Sequence, residues 1–280
     1  MQTVLRGSGA EVVIGPGWPL ALIGTRIDAA KGPMAEALRC LDLARIRLEA
    51  RGQADEGADV IAVQVWAEGI DQERVLPKVV EAVAEAVPLP LCIQTESPAA
   101  LAAALRVCPG KPLVGSISGK SVSLNKLVPL AAAHGAAVLA TAVDESGIPR
   151  RFDDRIELMR NILRAAILGG VARQDVILNP GLEALPEDPE AAKTYLQAAA
   201  HLARIEQLNV ALDAAAAGGQ EDGSGAAQVL LALAARAGVT CALANPAVCS
   251  RISRVIDLLL ARPGAAERYH ALLPGARRGN

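Results

Sequence analysis

A single (β/α)8 TIM barrel of the α/β class, with a short N-terminal β-hairpin, is the fold that this 280-residue sequence predicts. Three observations carry that reading. Short apolar runs recur along the chain and end abruptly in polar residues, as in Leu91-Cys92-Ile93-Gln94-Thr95-Glu96; such runs read as strands buried on both faces. Segments with helical spacing follow these runs, and the pattern repeats to eight βα units without a break in composition. A doubly wound open sheet alternates in the same way, but no linker and no GxGxxG fingerprint accompanies the pattern, which favours closure.

Taken in order, residues 1–18 form the hairpin. Thr3 to Ile14 alternates loosely around Gly7-Ser8-Gly9, and Gly15-Pro16-Gly17 turns the chain onward. In that position it is expected to plug the bottom of the barrel. Leu20 to Gly24 is the first strand, with Thr25-Arg26-Ile27-Asp28 at its tip, and the spacing of Ala37, Leu41, Ala44 and Leu48 predicts one helix from Met34 to Arg51. Val60 to Val65 is the second strand, before a helix from Gln72 to Val87. The third strand lies in the stretch Leu89 to Pro98, and Pro98 opens a helix that runs to Val107. Pro112 to Gly119 is the fourth, with a helix near Leu124 to His134; Ala136 to Ala142 is the fifth, with a long helix from Asp153 to Leu168. Val176 to Pro180 is the sixth and Val210 to Asp213 the seventh. Thr240 to Pro246 is the eighth, and the helix after it carries Ile252, Val255, Ile256 and Leu259. Residues 264–280 read as a tail, and 1–280 as one domain.

Composition narrows the function. Ala, Leu and Val supply most of the 52% hydrophobic share, while one Phe, two Tyr and two Trp leave few stacking platforms, which disfavours nucleic-acid binding. The net charge is -2 with the signs interspersed, apart from an Arg277-Arg278 pair that reads as a solvated tail. The five cysteines, Cys40, Cys92, Cys108, Cys241 and Cys249, are odd in number and lack CxxC spacing, so they read as buried free thiols in a reducing cytoplasm. No run approaches the roughly 20 apolar residues of a membrane span, so no membrane association is expected.

Barrel sites form at the C-terminal ends of the strands. The tips offer Thr25 with Asp28, Gln64, Gln94 with Thr95 and Glu96, Ser116 with Ser118, Asp144, Asn179, Asp213 and Asn245. This is a ring of amides, hydroxyls and a few carboxylates without a histidine, and no His, Cys and Glu cluster is spaced as metal ligands, so no metal is expected. His134, His201 and His270 fall on a helix end, a helix and the tail.

The order of short motifs resembles the pterin-binding barrel family, and within it the methyltetrahydrofolate–corrinoid protein methyltransferases. The carrying segments are Leu5-Arg6, Glu11 to Pro16, Ile23-Gly24 with Arg26-Ile27, Gly57-Ala58-Asp59, Leu89 to Ile93, Lys111-Pro112-Leu113, His134 to Ala137, Asp144-Glu145 with Gly147-Ile148-Pro149, and Ala244-Asn245-Pro246. They span nearly the whole chain. The resemblance implies a reduced pterin or tetrahydrofolate derivative as ligand, a corrinoid brought by a partner protein, one-carbon (methyl) transfer, and a homodimer. It places ligand contacts at Asp28, Gln64, Gln94, Thr95, Ser116, Asp144, Asn179 and Asn245, and the catalytic group at Asp213.

This chain departs from the family at those contacts. Gln94-Thr95 stands for aspartate-serine, Gly115-Ser116 for asparagine-serine, Asn179 for an aspartate before proline, and Asp213-Ala214 for serine-asparagine. Thr25-Arg26-Ile27-Asp28 replaces glutamate-arginine-isoleucine-asparagine, and Ala62-Val63-Gln64 replaces aspartate-x-asparagine. A carboxylate accepts two bonds from the guanidine-like edge of a pterin, whereas an amide accepts on one side only. Each lost charged acceptor costs about 1.5–3 kcal/mol, so two losses weaken binding by about two to four decades. Three functions are therefore expected to compete. They are methyl transfer at a rearranged site, a non-folate ligand on the same scaffold, and a non-catalytic relative that binds a corrinoid protein or a paralogous barrel. Dihydropteroate synthase, on the same barrel, is disfavoured because no lysine-arginine signature stands near the seventh and eighth strands.

Overall fold

A computed structural model describes residues 1–30, 32–182, 190–214 and 225–271. Ten strands and ten α-helices are present among them. Strands β1 (Thr3–Arg6) and β2 (Glu11–Ile14) pair antiparallel as a separate hairpin. The other eight strands close a parallel barrel: β3 (Ala21–Asp28), β4 (Val60–Gln64), β5 (Leu91–Gln94), β6 (Leu113–Ile117), β7 (Ala137–Thr141), β8 (Val176–Asn179), β9 (Asn209–Asp213) and β10 (Cys241–Ala244). Between them run α1 (Gly32–Cys40), α2 (Leu43–Asp55), α3 (Gln72–Ala86), α4 (Pro98–Val107), α5 (Val128–Ala133), α6 (Phe152–Leu168), α7 (Ala191–Arg204) and α8 (Ala226–Ala237). Helices α9 (Pro246–Leu259) and α10 (Ala265–His270) follow the last strand.

Alternation along the strands makes two cores. Val60, Ala62, Cys92, Ala137, Leu139, Ile177, Ala211 and Cys241 fill the barrel interior, while Ile61, Val63, Ile93, Val138, Leu178 and Leu212 pack outward against the helices. The hairpin closes the N-terminal end: Leu5 and Ile14 are fully buried in the interior cluster. Its polar edge is fixed by Asn209, whose Nδ2 donates to Thr3 Oγ1 at 2.9 Å and to the Ile14 carbonyl at 3.1 Å. Arg6 and Lys111 exchange backbone hydrogen bonds at 3.0 and 2.9 Å. The bend at Gly7 has to be glycine because a Cβ there would lie 2.2 Å from the Pro88 carbonyl oxygen, just before β5.

Several boundaries differ from the sequence reading. The expected helix from Met34 to Arg51 is two helices, because Leu41 takes a left-handed φ of 53° and Asp42 then caps α2 by accepting from Arg45 N at 3.1 Å. The first strand extends through its expected tip to Asp28, with a register shift between Gly24 and Ile27. The helix near Leu124 opens with a π-helical turn, Ser123–Leu127, ahead of Pro129, which has no N–H to donate. The segment read as a tail begins with α10, which carries His270; Arg277-Arg278 lies outside the described residues. Of the five thiols, Cys92, Cys241 and Cys249 are buried, Cys108 is half-buried, and Cys40 is exposed, so burial does not hold for all five. Burial pushes the Cys92 thiol up to about 12.

Candidate functional site

The inward parity of the strands aims a second layer of side chains at the C-terminal mouth. Gln64 follows Ala62 by two residues, Gln94 follows Cys92, Thr141 follows Leu139, Asn179 follows Ile177 and Asp213 follows Ala211, so each continues an interior-facing row. Ladder register sets them side by side: Asp28 opposite Gln64, Gln64 opposite Gln94, Gln94 opposite Gly115, and Thr141 opposite Asn179. A cavity of about 500 Å³ opens over one side of this ring, lined by Gln64, Trp66, Gln72, Gln94, Thr95, Glu96, Ser97 and Ser116. That volume suits a small organic molecule.

Hydrogen bonds inside the ring decide what each group still offers. Gln64 Nε2 donates to Asp28 Oδ1 at 3.2 Å, which leaves the Gln64 carbonyl as an acceptor; the same Asp28 oxygen takes Ala30 N at 2.9 Å. Thr95 Oγ1 donates to Gln72 Oε1 at 2.9 Å and accepts from Ser97 N at 3.1 Å, which fixes the start of α4 against α3 and spends its only donor. Gln94 and Ser116 make no side-chain hydrogen bond among the described residues, and both face the cavity half-buried. Asn179 is buried, and its Oδ1 accepts from Gly181 N at 3.1 Å.

Other tip residues hold structure together. Asn245 Oδ1 caps α9 through Ala247 N at 3.1 Å and accepts from Arg26 Nη1 at 3.0 Å. Arg26 in turn ion-pairs with Glu49 at 2.6 Å and with Glu56, both on or beside α2. Asp144 closes a four-residue turn, exchanging backbone bonds with Gly147 and accepting from Ser146 N at 2.7 Å. Ser118 is buried and its N donates to Ser123 Oγ at 2.9 Å. Beneath Asp213, the buried Tyr195 hydroxyl donates to the Ala211 carbonyl at 2.8 Å; burial first, then Cys241 and Asp213, raise the pKa of that phenol. His134 bonds its own helix through the Leu130 carbonyl, and His201 lies 3.3 Å from Glu206, both away from the mouth. Among the described residues no group of three or more His, Cys, Asp or Glu side chains is placed to hold a metal.

Sequence reasoning missed three members of the mouth. Trp66 and Gln72 line the cavity from beyond the end of β4, and Thr141 continues the interior row of β7. The signal for Thr141 was available, since it follows Leu139 by two in an alternating strand. Trp66 lies two residues past the end of β4.

A family model for pterin binding enzymes matches residues 27–247. A methylcorrinoid:tetrahydrofolate methyltransferase of Eubacterium limosum is 29% identical over 168 residues, 59% of this chain; the match spans 62% of that relative's length. Among solved structures, a dihydropteroate synthase of Xanthomonas albilineans with 4-aminobenzoic acid superposes with a TM-score of 0.69 at 16% identity, covering 94% of this chain and all of that one. The dihydropteroate synthase of Thermus thermophilus in complex with 6HMPPP gives 0.67 at 18% identity, covering 92% and 99%. At such identities the superpositions show the shared fold alone.

Proposed function

Because the chain belongs to the pterin-binding enzyme family, we propose that it moves a methyl group between a reduced pterin of the tetrahydrofolate type and a corrinoid carried by a separate protein. The observation that carries this reading is the amide-rich ring at the strand tips, open to a cavity of about 500 Å³. Gln64 offers an acceptor, Gln94 offers an acceptor and a donor, and Ser116 offers a hydroxyl. The site fits a bicyclic ring in size and polarity. Moving a methyl group onto the pterin nitrogen releases that nitrogen's proton, and the reverse transfer returns one. Asp213, continuing the interior row of β9, is the carboxylate assigned to take and return it. The reading includes a cytoplasmic setting and a homodimer or a paralogous barrel as partner.

Charge is where the site fits a pterin less well. With its oxygen committed to Gly181 N, Asn179 presents donors where a pterin edge also presents donors. This favours weak folate binding, and it supports a second reading in which the mouth holds a non-folate ligand rich in acceptors or binds a partner without catalysis. Calorimetric titration with methyltetrahydrofolate separates these. The expected result is saturable heat with affinity weaker than micromolar. A micromolar dissociation constant would contradict the altered contacts, and absence of saturable heat would contradict the pterin reading itself.

A further inference from the structure

Trp66 is out of place for a buried-core residue. The chain has two tryptophans, and this one is 63% exposed at the rim of the cavity. Leaving so large an apolar side chain in water forfeits the stabilisation its burial would bring. The backbone around it explains where it points. Val60 and Ala62 face the barrel interior, Gln64 ends the strand, and Trp66 lines the same cavity as Gln64 from two residues beyond that end. Val65 before it is fully buried against the helices. After it, Ala67 and Ile70 pack on the same outer core, and Ile70 N bonds the Ala67 carbonyl at 3.1 Å. The short connection to α3 is therefore anchored on both sides of the indole.

We infer that Trp66 is the specificity-determining wall of the site, stacking against the aryl arm of a folate where the arm leaves the barrel. The inference rests on the pterin reading above. Gln64, Gln94 and Ser116 line the same cavity as the indole, and they are the polar floor on which the proposed function seats the bicyclic ring. A ring seated on that floor sends its substituent out through the mouth, past Trp66. The aryl amide of a folate is flat and apolar on both faces, and it suits an offset stack on indole. Trp66 thus separates folates, which carry the arm, from simple pterins, which do not.

Two ligands and two variants test this. The ligands are tetrahydrofolate and 6-methyltetrahydropterin, which lacks the arm; the variants are Trp66→Ala and Trp66→Phe, with binding measured by calorimetry. Trp66→Ala is expected to weaken tetrahydrofolate roughly 3- to 10-fold, the range of one aromatic stack, while 6-methyltetrahydropterin changes by less than about twofold. Trp66→Phe should recover most of the loss. In a Trp18→Phe background, where Trp66 is the sole indole, tetrahydrofolate should quench fluorescence saturably and 6-methyltetrahydropterin far less. Equal losses for both ligands, or no loss for either, would overturn the assignment while leaving the pterin reading intact. If neither ligand binds the unaltered protein, the pterin reading falls and this inference falls with it.

Discussion

At Asn179 one hydrogen bond bears on the proposed ligand contact. Its Oδ1 accepts from Gly181 N, so in the proposed pterin reading the side chain turns its NH2 to the ligand. Replacing it with aspartate keeps the bond to Gly181 and adds a charged acceptor on the ligand side. Asn179→Asp is therefore expected to tighten tetrahydrofolate by about 1.5–3 kcal/mol, roughly 10- to 150-fold, as read by calorimetry. Unchanged or weaker binding would remove Asn179 from the ligand contacts. Gln64, Gln94, Thr95 and Ser116 were legible in the sequence as polar residues in or at the ends of apolar runs, and the cavity brings these four together. Asn245 ends a run as well, yet its oxygen is engaged by Ala247 N and Arg26. A linear pattern marks a strand end without showing which neighbour claims the side chain. Gln72 was hidden for the opposite reason. It opens a helix, and only the packing of α3 beside β5 carries it to the mouth through Thr95.

Among the elements, the hairpin is the one whose role follows from both sequence and packing. Gly7-Ser8-Gly9 marked its turn, and the structure shows it seating Leu5 and Ile14 under the barrel's interior layer. Both side chains are fully buried. Leu5→Ala and Ile14→Ala are each expected to cost about 2–5 kcal/mol, read as a shift in urea midpoint at unchanged slope. A cost below about 1 kcal/mol for both would mean that the hairpin does not close the core. The break between α1 and α2 was not legible. Leu41 and Ala44 satisfy a helical period, which masks the left-handed residue at Leu41 and the Asp42 cap that starts α2. The π-helical turn before α5 is likewise a matter of hydrogen-bond partners that periodicity does not report.

For the whole molecule, the two ends of the barrel are built on different terms. The N-terminal end carries a packed charge network: Asp59 accepts from Leu22 N at 2.8 Å and pairs with Arg268 of α10 at 2.9 Å, with Arg254 of α9 at 3.6 Å. Nearby, Asp257 pairs with Arg262 at 3.1 Å and takes Leu20 N at 2.9 Å. Burial is the largest influence on both carboxyls and raises them, although the arginines pull the other way. These contacts tie the last helices to the first strands, which is structural closure. Among the described residues no helix is long and apolar enough to cross a membrane. The C-terminal end instead exposes amides, hydroxyls and one tryptophan around a cavity, as expected of the reactive face of such a barrel. Barrel closure was legible because eight repeats of one pattern average out local errors of a residue or two. The chemistry of the mouth was less so, since it depends on which hydrogen bonds are already spent.

The proposed methyl transfer is tested most directly by mixing the full chain with tetrahydrofolate and methylcobalamin under anaerobic conditions and following loss of the methylcobalamin absorbance. Demethylation faster than the uncatalysed rate is expected. Asp213→Asn should slow it at least tenfold, with tetrahydrofolate affinity unchanged, in keeping with loss of a proton acceptor. A rate equal to the uncatalysed one at every tetrahydrofolate concentration would contradict the account.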